Sequence, residues 1–485
     1  MNSSAGDRRT LWLLLTLAFA LRAGLAVLDP GIAQPDEIFQ YQEPAHKLLT
    51  GLGIPTWEWA LHARSWLLPG LVLPVMALAR LVTHDPAFYW ALMASVTSAA
   101  SLPVVWVAFR WGFEVGGRKG GIIAGFTAAV WFQLVYFSAH LLVDTLATDL
   151  LLPALYACRE YRLRDGARAR AWGSALLGVI VYLRPQLAPI LLVPAGATLI
   201  AAKNRGQAIA CLGWGLGPLL VLGVFDWITL GAPFRSVWLY IYVNLFKVTD
   251  EFGLLPWYWY LGNTLLIWSS AIVPIAYFSW TASRHFRLEF IVDLLIIALM
   301  SAIGHKEPRF VLPALAILLI LAGVGLGEFC QARSGILGRP ALYLPLIGVV
   351  SLGLAFAKSY RPEIQRWHVA MKSLDRIEAD PQACGIYFLT GSNQAEKSSG
   401  AKPRIEAAFL SSTLGSAGYT GTRDGIRLLS DSFDAPAANE KHGNYLVTLL
   451  QEHETARLPA GYALQSCATD ASGYRICVYH RPGGC

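Results

Sequence analysis

SWLLPGLVLPVMALARLV, residues 65–82, is apolar enough to cross a bilayer, and whether it crosses decides the orientation of everything after it. Counted as a span, it inverts every later loop and puts the basic clusters of the chain outside. Left out of the count, it lets those clusters fall on one inner side: Arg8 and Arg9; Arg110, Arg118 and Lys119; Arg159, Arg162, Arg164, Arg168 and Arg170; Lys203 and Arg205; Arg284 and Arg287; Arg333 and Arg339. Cytoplasmic loops carry the Lys and Arg excess, so the second reading is preferred. Residues 65–82 are then a helix lying in the outer interface or dipping partway, which Pro69 and Pro74 suit.

Working outward from that segment, the 485 residues are 55% hydrophobic and only 15% charged, with a mean hydropathy of +0.46. Soluble domains carry about 25% charged residues. The composition therefore predicts an all-α polytopic membrane protein. Spans are read near 11–28, 87–109, 120–137, 141–158, 171–183, 186–202, 207–230, 261–280, 288–304, 309–328 and 340–357, about eleven transmembrane helices. They make residues 1–357 a membrane domain, with a first outer loop at 29–86 holding interfacial helices and a second large outer loop at 231–260. The N-terminal LWLLLTLAFALRAGLAVL has a cleavage-like Ala18-Phe19-Ala20, but the apolar run continues past it and reads as an uncleaved anchor. The net charge of +7 is accounted for by topology and calls for no nucleic-acid partner.

An odd span count, with the N-terminus cytoplasmic, leaves residues 358–485 outside as a small mixed α/β extracytoplasmic domain. A helix is expected over RPEIQRWHVAMKSLDRIEAD (361–380) and strands over CGIYFL (384–389), YLVTLL (445–450) and YRICVYH (474–480). Cys384, Cys467, Cys477 and Cys485 fall here. Cys467 and Cys477 either close a hairpin by a disulfide or remain thiols, and sequence leaves both open.

The unusual polar residues gather on the outer loops. Asp36, Glu37, Glu43 and His46 lie in the first; Arg184 follows a span; Asp250 and Glu251 precede the aromatic run LPWYWYL (255–261); His305, Lys306, Glu307 and Arg309 form HKEPRF (305–310). Ionisable groups at membrane depth are costly, so such a cluster is a functional-site candidate. Ile38, Tyr41, Ala45, Leu48 and Leu49 recur at helical spacing before Gly51, predicting an amphipathic surface helix over 37–49. Asp36 at its start reads as an N-cap, as a catalytic carboxylate, or as both, with Glu37 pointing elsewhere. HKEPRF reads either as a snorkelling basic turn or as a phosphate clamp, with Lys306 a point charge, Arg309 a planar fork and His305 and Arg184 further donors. Arg22, inside the first span, needs a partner, for which a first-loop carboxylate is available. Trp57, Glu58, Trp59, Trp257 and Tyr258 read as interfacial belt or as substrate lining, with Glu43, His46 and Glu307 also candidates for lining. The sequence contains no Asp-x-Asp pair, P-loop or zinc-type Cys/His spacing, so no metal ligands are assigned and no metal or other cofactor is expected.

Five stretches, in order, carry a resemblance: QPDEIFQYQEPAHKLLTGLGIPTWEW (34–59), ARSWLLPG (63–70), YLRPQLAP (182–189), PWYWYLGN (256–263) and SAIGHKEPRFVLPALAILLILAG (301–323). Together they resemble glycosyltransferase family 22, the mannosyltransferases that elongate dolichol-linked oligosaccharides and GPI anchors, and their bacterial relatives. The likeness covers most of 10–330. It implies a GT-C membrane fold, a polyprenyl- or dolichyl-phosphate sugar donor, a glycolipid or glycan acceptor, and metal-independent inversion at the anomeric carbon. The family's first-loop acid maps onto Asp36, with Glu37 beside it. Gln34 and Pro308 depart from the commoner family residues, and the C-terminal region matches weakly. The expected reaction has Asp36 take the acceptor proton while Lys306, Arg309, His305 and Arg184 hold the phosphate. A same-fold transferase of another lipid-linked sugar, and a polyprenyl-glycan transporter or flippase, are the alternatives. A bacterial inner membrane is favoured over the endoplasmic reticulum.

Overall fold

The computed structural model describes residues 4–28, 33–34, 36–50, 57–83, 86–246, 254–357, 377, 380–383, 385–390, 427–428, 443–451, 460–469 and 474–483. The chain is mostly helical, and it divides into two compact units: 1–25 with 94–359, and 26–93 with 360–485.

In the first unit the predicted apolar runs all become helices, several with edges set by Gly or Pro. Five described helical stretches are long and apolar enough to cross a membrane, and a sixth is added if the bent pair Phe132–Ser138 and Val143–Arg164 counts as one. Leu102–Val130 is a helical hairpin rather than one rod, since Gly116 and Gly117 leave helical geometry and Gly117 has φ +57°. Its arms approach backbone to backbone: a Cβ on Gly120 would lie 2.2 Å from the Gly112 carbonyl oxygen. Glycine is needed there because nothing larger fits. Leu312–Gln331 is buried along nearly its whole length and packs its Gly323 and Gly327 against Ala124 and Gly120 of that hairpin.

Three interruptions in this unit position the polar groups described below. The chain turns by 116° between Phe132–Ser138 and Val143–Arg164, which brings Asp144 into the first turn of the second helix. Ala167–Leu183 ends at Arg184, the residue before Pro185, where the proline ring disfavours further helix. Pro308 opens the next helical stretch at its first position, leaving 303–307 as a non-helical turn.

In the second unit, residues 37–50 form a helix as expected, but in two parts: a π-helical Glu37–Gln42 and an α-helical Glu43–Thr50. Leu67–Val82 is helical and packs on it. The expected amphipathic surface is only half present. Ile38, Tyr41 and Ala45 are buried, but Leu48 is exposed and Glu37, Gln40, Gln42 and Glu43 are buried as well.

The C-terminal strands are β1 (Gly385–Thr390), β2 (Arg427–Leu428), β3 (Tyr445–Gln451), β4 (Ala463–Thr469) and β5 (Tyr474–His480). They form one mixed sheet in the order β2-β1-β3-β5-β4, with β1 parallel to both neighbours and β5 antiparallel to both of its own. The three predicted strands are β1, β3 and β5. Cys467 and Cys477 are joined by a disulfide across β4 and β5. The helix expected over 361–380 lies almost wholly outside the described residues, as do Cys384, Cys485, Gly51, Asp250 and Glu251.

Candidate active site

In the first unit, the three interruptions bring two arginines and two carboxylates together out of water. Arg184 Nη2 lies 2.6 Å from Asp144 Oδ1, and Arg309 Nε lies 3.7 Å from Asp144 Oδ2. Arg309 is also gripped by Glu307, whose oxygens lie 2.8 Å from Nε and 3.2 Å from the Nη2 donor. His305 Nε2 is 3.0 Å from the same Glu307 carboxylate. The Phe310 ring is shared: the guanidinium carbons of Arg184 and Arg309 stand 5.2 and 5.4 Å from its centre. With its amide turned so that the oxygen faces its donor neighbours, Gln186 accepts from Arg184 Nη2 at 3.0 Å and from the Tyr240 hydroxyl at 3.0 Å. Arg184, Arg309 and Asp144 are all buried.

Burial alone would push the Glu307 carboxyl up, but the Arg309 charge and the hydrogen bonds from His305 and Arg309 outweigh it and hold the group at about 2. An anion held there orients its arginine. Oriented guanidinium forks in a poorly solvated place are what a phosphate needs, being matched to its oxygens and always charged.

Of the four expected phosphate ligands, Arg184 and Arg309 meet around Asp144, and His305 joins them through Glu307. Lys306 does not point its charge into this network. Its ammonium donates to the carbonyl oxygens of Leu255 (3.0 Å) and Ile303, tying the 254–256 segment to the 303–306 turn. Desolvation also lowers its pKa. Trp257 and Tyr258 are 71% and 56% exposed, edge to face with one another. The aromatic residue of that run that is buried is Tyr260, whose hydroxyl feels the charges of Glu307, Asp144 and Arg184.

Arg22 finds its partners in the first unit, not in the first outer loop. It donates to Ser101 Oγ at 2.6 Å and to the Ala128 carbonyl at 2.9 Å, and the carboxylate whose charge it feels is Asp149. Arg22 and Asp149 line one small cavity with Ser138, Thr145 and Thr148.

In the second unit, Asp36 is not a helix cap. It already has helical angles (φ −57°, ψ −34°) and makes no side-chain capping bond. The buried Glu37 carboxylate instead accepts from the Ala33 and Gln34 amides of the segment before the helix, at 2.6 and 3.4 Å. Asp36, half-buried beside it, and Glu37 both stand as catalytic candidates. Glu58 pairs with Arg64 at 2.6 Å, and Arg64 also feels Asp36 and Tyr41. Burial disfavours the Arg64 charge, yet the neighbouring Glu58, Tyr41 and Asp36 raise its pKa overall. Glu43 and His46 lie 3.8 Å apart on one helical turn, Tyr89 donates to Gln42 at 2.9 Å, and Trp59 packs on Trp66. The Trp57 side chain lies outside the described residues.

Comparison with known proteins now adds a name. Residues 12–387 match the model of the Alg9-like mannosyltransferase family. The chain belongs to this family. Among curated relatives it is 27% identical over 344 residues to mannosyltransferase APTG1 of Arabidopsis thaliana, covering 67% of this chain and 59% of that one. It is likewise 27% identical to the alpha-1,2-mannosyltransferase ALG9 of Saccharomyces cerevisiae, over 64% of this chain and 58% of the relative. It thus spans a little under three fifths of the length of either protein. The crystal structure of ArnT from Cupriavidus metallidurans bound to undecaprenyl phosphate shares the fold, with a TM-score of 0.54, 14% identity, and 96% and 97% of the two chains covered. The family's GT-C architecture therefore holds for this chain.

Asp144, Gln186, Tyr240 and Phe310 were not among the residues singled out by sequence. Asp144 carried a usable signal, being a carboxylate inside a predicted span, 141–158.

Proposed function

We propose that this member of the Alg9-like family is an inverting mannosyltransferase that moves mannose from a polyprenyl-phosphate donor to a hydroxyl of a glycolipid or glycan at the outer membrane face. The observation that carries the reading is the buried Arg184–Asp144–Arg309–Glu307 network, which converges where three helices are interrupted. The relatives' names support mannose as the sugar, and the undecaprenyl phosphate of the ArnT crystal supports a lipid phosphate as its carrier.

The step is a single displacement. Asp36 accepts the proton of the acceptor hydroxyl while that oxygen attacks C1 of the sugar, and a positioned base contributes about 10² to 10⁴ in rate. The C1–O bond breaks with its electron pair going to the phosphate, and polyprenyl phosphate leaves. Arg184 and Arg309 compensate the charge that appears on it, with His305 acting through Glu307. No divalent metal enters this scheme. In this reading the chain has eleven spans, with the N-terminus cytoplasmic, 65–82 in the outer interface and residues 358–485 outside, and the reaction runs outside a bacterial inner membrane; the endoplasmic reticulum lumen is the corresponding place in a eukaryote.

The test incubates purified protein and membrane glycolipids with either polyprenyl-phosphate mannose or GDP-mannose. The expected result is mannosylated lipid plus free polyprenyl phosphate from the first donor only, unaffected by EDTA. Transfer from GDP-mannose, or loss of activity in EDTA restored by manganese, would refute the proposal.

A further inference from the structure

Both arginines of the first-unit network have holders besides Asp144. Glu307 grips the Arg309 fork through two contacts, and Gln186, itself bonded to Tyr240, holds Arg184 against the Phe310 face. Asp144 nevertheless lies 2.6 Å from one guanidinium and 3.7 Å from the other, 1% exposed. A buried carboxylate set against two guanidiniums that other groups also hold cancels charge whatever else it does. Two arginines against Asp144 and Glu307 leave the network neutral.

The reaction proposed above changes the charge of the ligand. The donor is a phosphodiester with a single negative charge. Breaking its C1–O bond leaves a phosphate monoester carrying about −1.5 to −2 near neutral pH. Two uncompensated arginines would grip that product more tightly than the donor and slow its departure. We propose that Asp144 is a built-in counter-ion that limits this bias, so that the arginines still favour the charge developing on the leaving phosphate but hold the monoester product too weakly to trap it, and polyprenyl phosphate is released. This rests on the reading of the network as the donor-phosphate site. Asp144 acts through the arginines and is a positioning residue in the electrostatic sense, not a group that reacts.

The experiment measures binding of undecaprenyl phosphate and of its methyl diester to the purified protein at pH 8, where the monoester is a dianion. Wild type should prefer the monoester, but by less than about tenfold. Asp144→Asn should shift the preference toward the monoester by about tenfold or more, the size expected from removing one charge a few ångströms from another at a protein-like dielectric. Asp144→Glu, which restores the charge, should return the ratio to the wild-type value. A purely structural role for Asp144 would weaken both ligands together and leave the ratio unmoved, and that result overturns the proposal. If Asp144→Asn fails to fold, wild type still decides: a monoester preference above tenfold there overturns it. If wild type binds neither lipid, the phosphate-site reading itself has failed; binding with an unmoved ratio sinks the counter-ion alone.

Discussion

Replacing Arg184 with methionine keeps most of the side-chain volume and removes the charge that faces Asp144. The pair is 2.6 Å apart with side chains 5% and 1% exposed, so little solvent is present to take over when one partner goes. Breaking a buried pair costs about 3 to 5 kcal/mol, mostly from the carboxylate left behind, whereas replacing both partners by apolar groups is often neutral. Arg309 Nε remains 3.7 Å from Asp144 and softens the loss, which puts Arg184→Met at about 3 kcal/mol, the low end of that range. The double variant Arg184→Met/Asp144→Leu should recover to within about 1 kcal/mol of wild type, about 2 kcal/mol better than Arg184→Met alone. Reversible unfolding by SDS titration in mixed micelles, followed by tryptophan fluorescence, measures all four corners of the cycle. A cost below about 1 kcal/mol for Arg184→Met is what an exposed pair gives, and it would refute the buried network.

Glu307 predicts a pH dependence whose sign follows from its depressed pKa. The folded protein holds this carboxyl at about 2 against an ordinary value of 4.5, so the unfolded chain binds the proton more readily. The stabilisation is complete above about 4.5 and disappears as pH falls through about 2. The stability gap between wild type and Glu307→Gln should therefore be constant from pH 6 to 8 and mostly closed by pH 3 in thermal unfolding; a gap of full size at pH 3 would contradict the assignment. Arg309→Lys keeps the charge but loses the planar fork that Glu307 grips. It should raise the donor KM by about tenfold or more with the acceptor KM unchanged, and steady-state kinetics with donor varied at fixed acceptor will show whether it does.

Much of the membrane unit was legible because apolar runs end where Gly and Pro end them: the turn at Gly116–Gly117, the stop at Arg184 before Pro185 and the start at Pro308 are each a local effect. The bend between Ser138 and Val143 was not. SAHLLV carries no Gly or Pro, so the break comes from tertiary packing, and with it went the one carboxylate, Asp144, that the two predicted arginines share. In the sheet, β1, β3 and β5 announce themselves through β-branched and aromatic residues, whereas β4 is a largely exposed ALQSCAT held in place by its pairing and its disulfide to β5. The spacing of Asp36 and Glu37 marked the start of a helix but not which acid the preceding chain binds. The answer depends on the chain folding back so that the Ala33 and Gln34 amides reach Glu37. Lys306 shows the limit from the other side: a motif marks a cation, but only the neighbouring carbonyls show what the cation holds.

The most direct test compares purified wild type with Asp36→Asn for transfer of radiolabelled mannose from polyprenyl-phosphate mannose to membrane glycolipid. Asparagine keeps the size and shape of the aspartate, so the variant should fold and bind donor as wild type does. Its turnover should fall by about a hundredfold or more. Near-normal turnover in Asp36→Asn would contradict the central claim and move the base elsewhere.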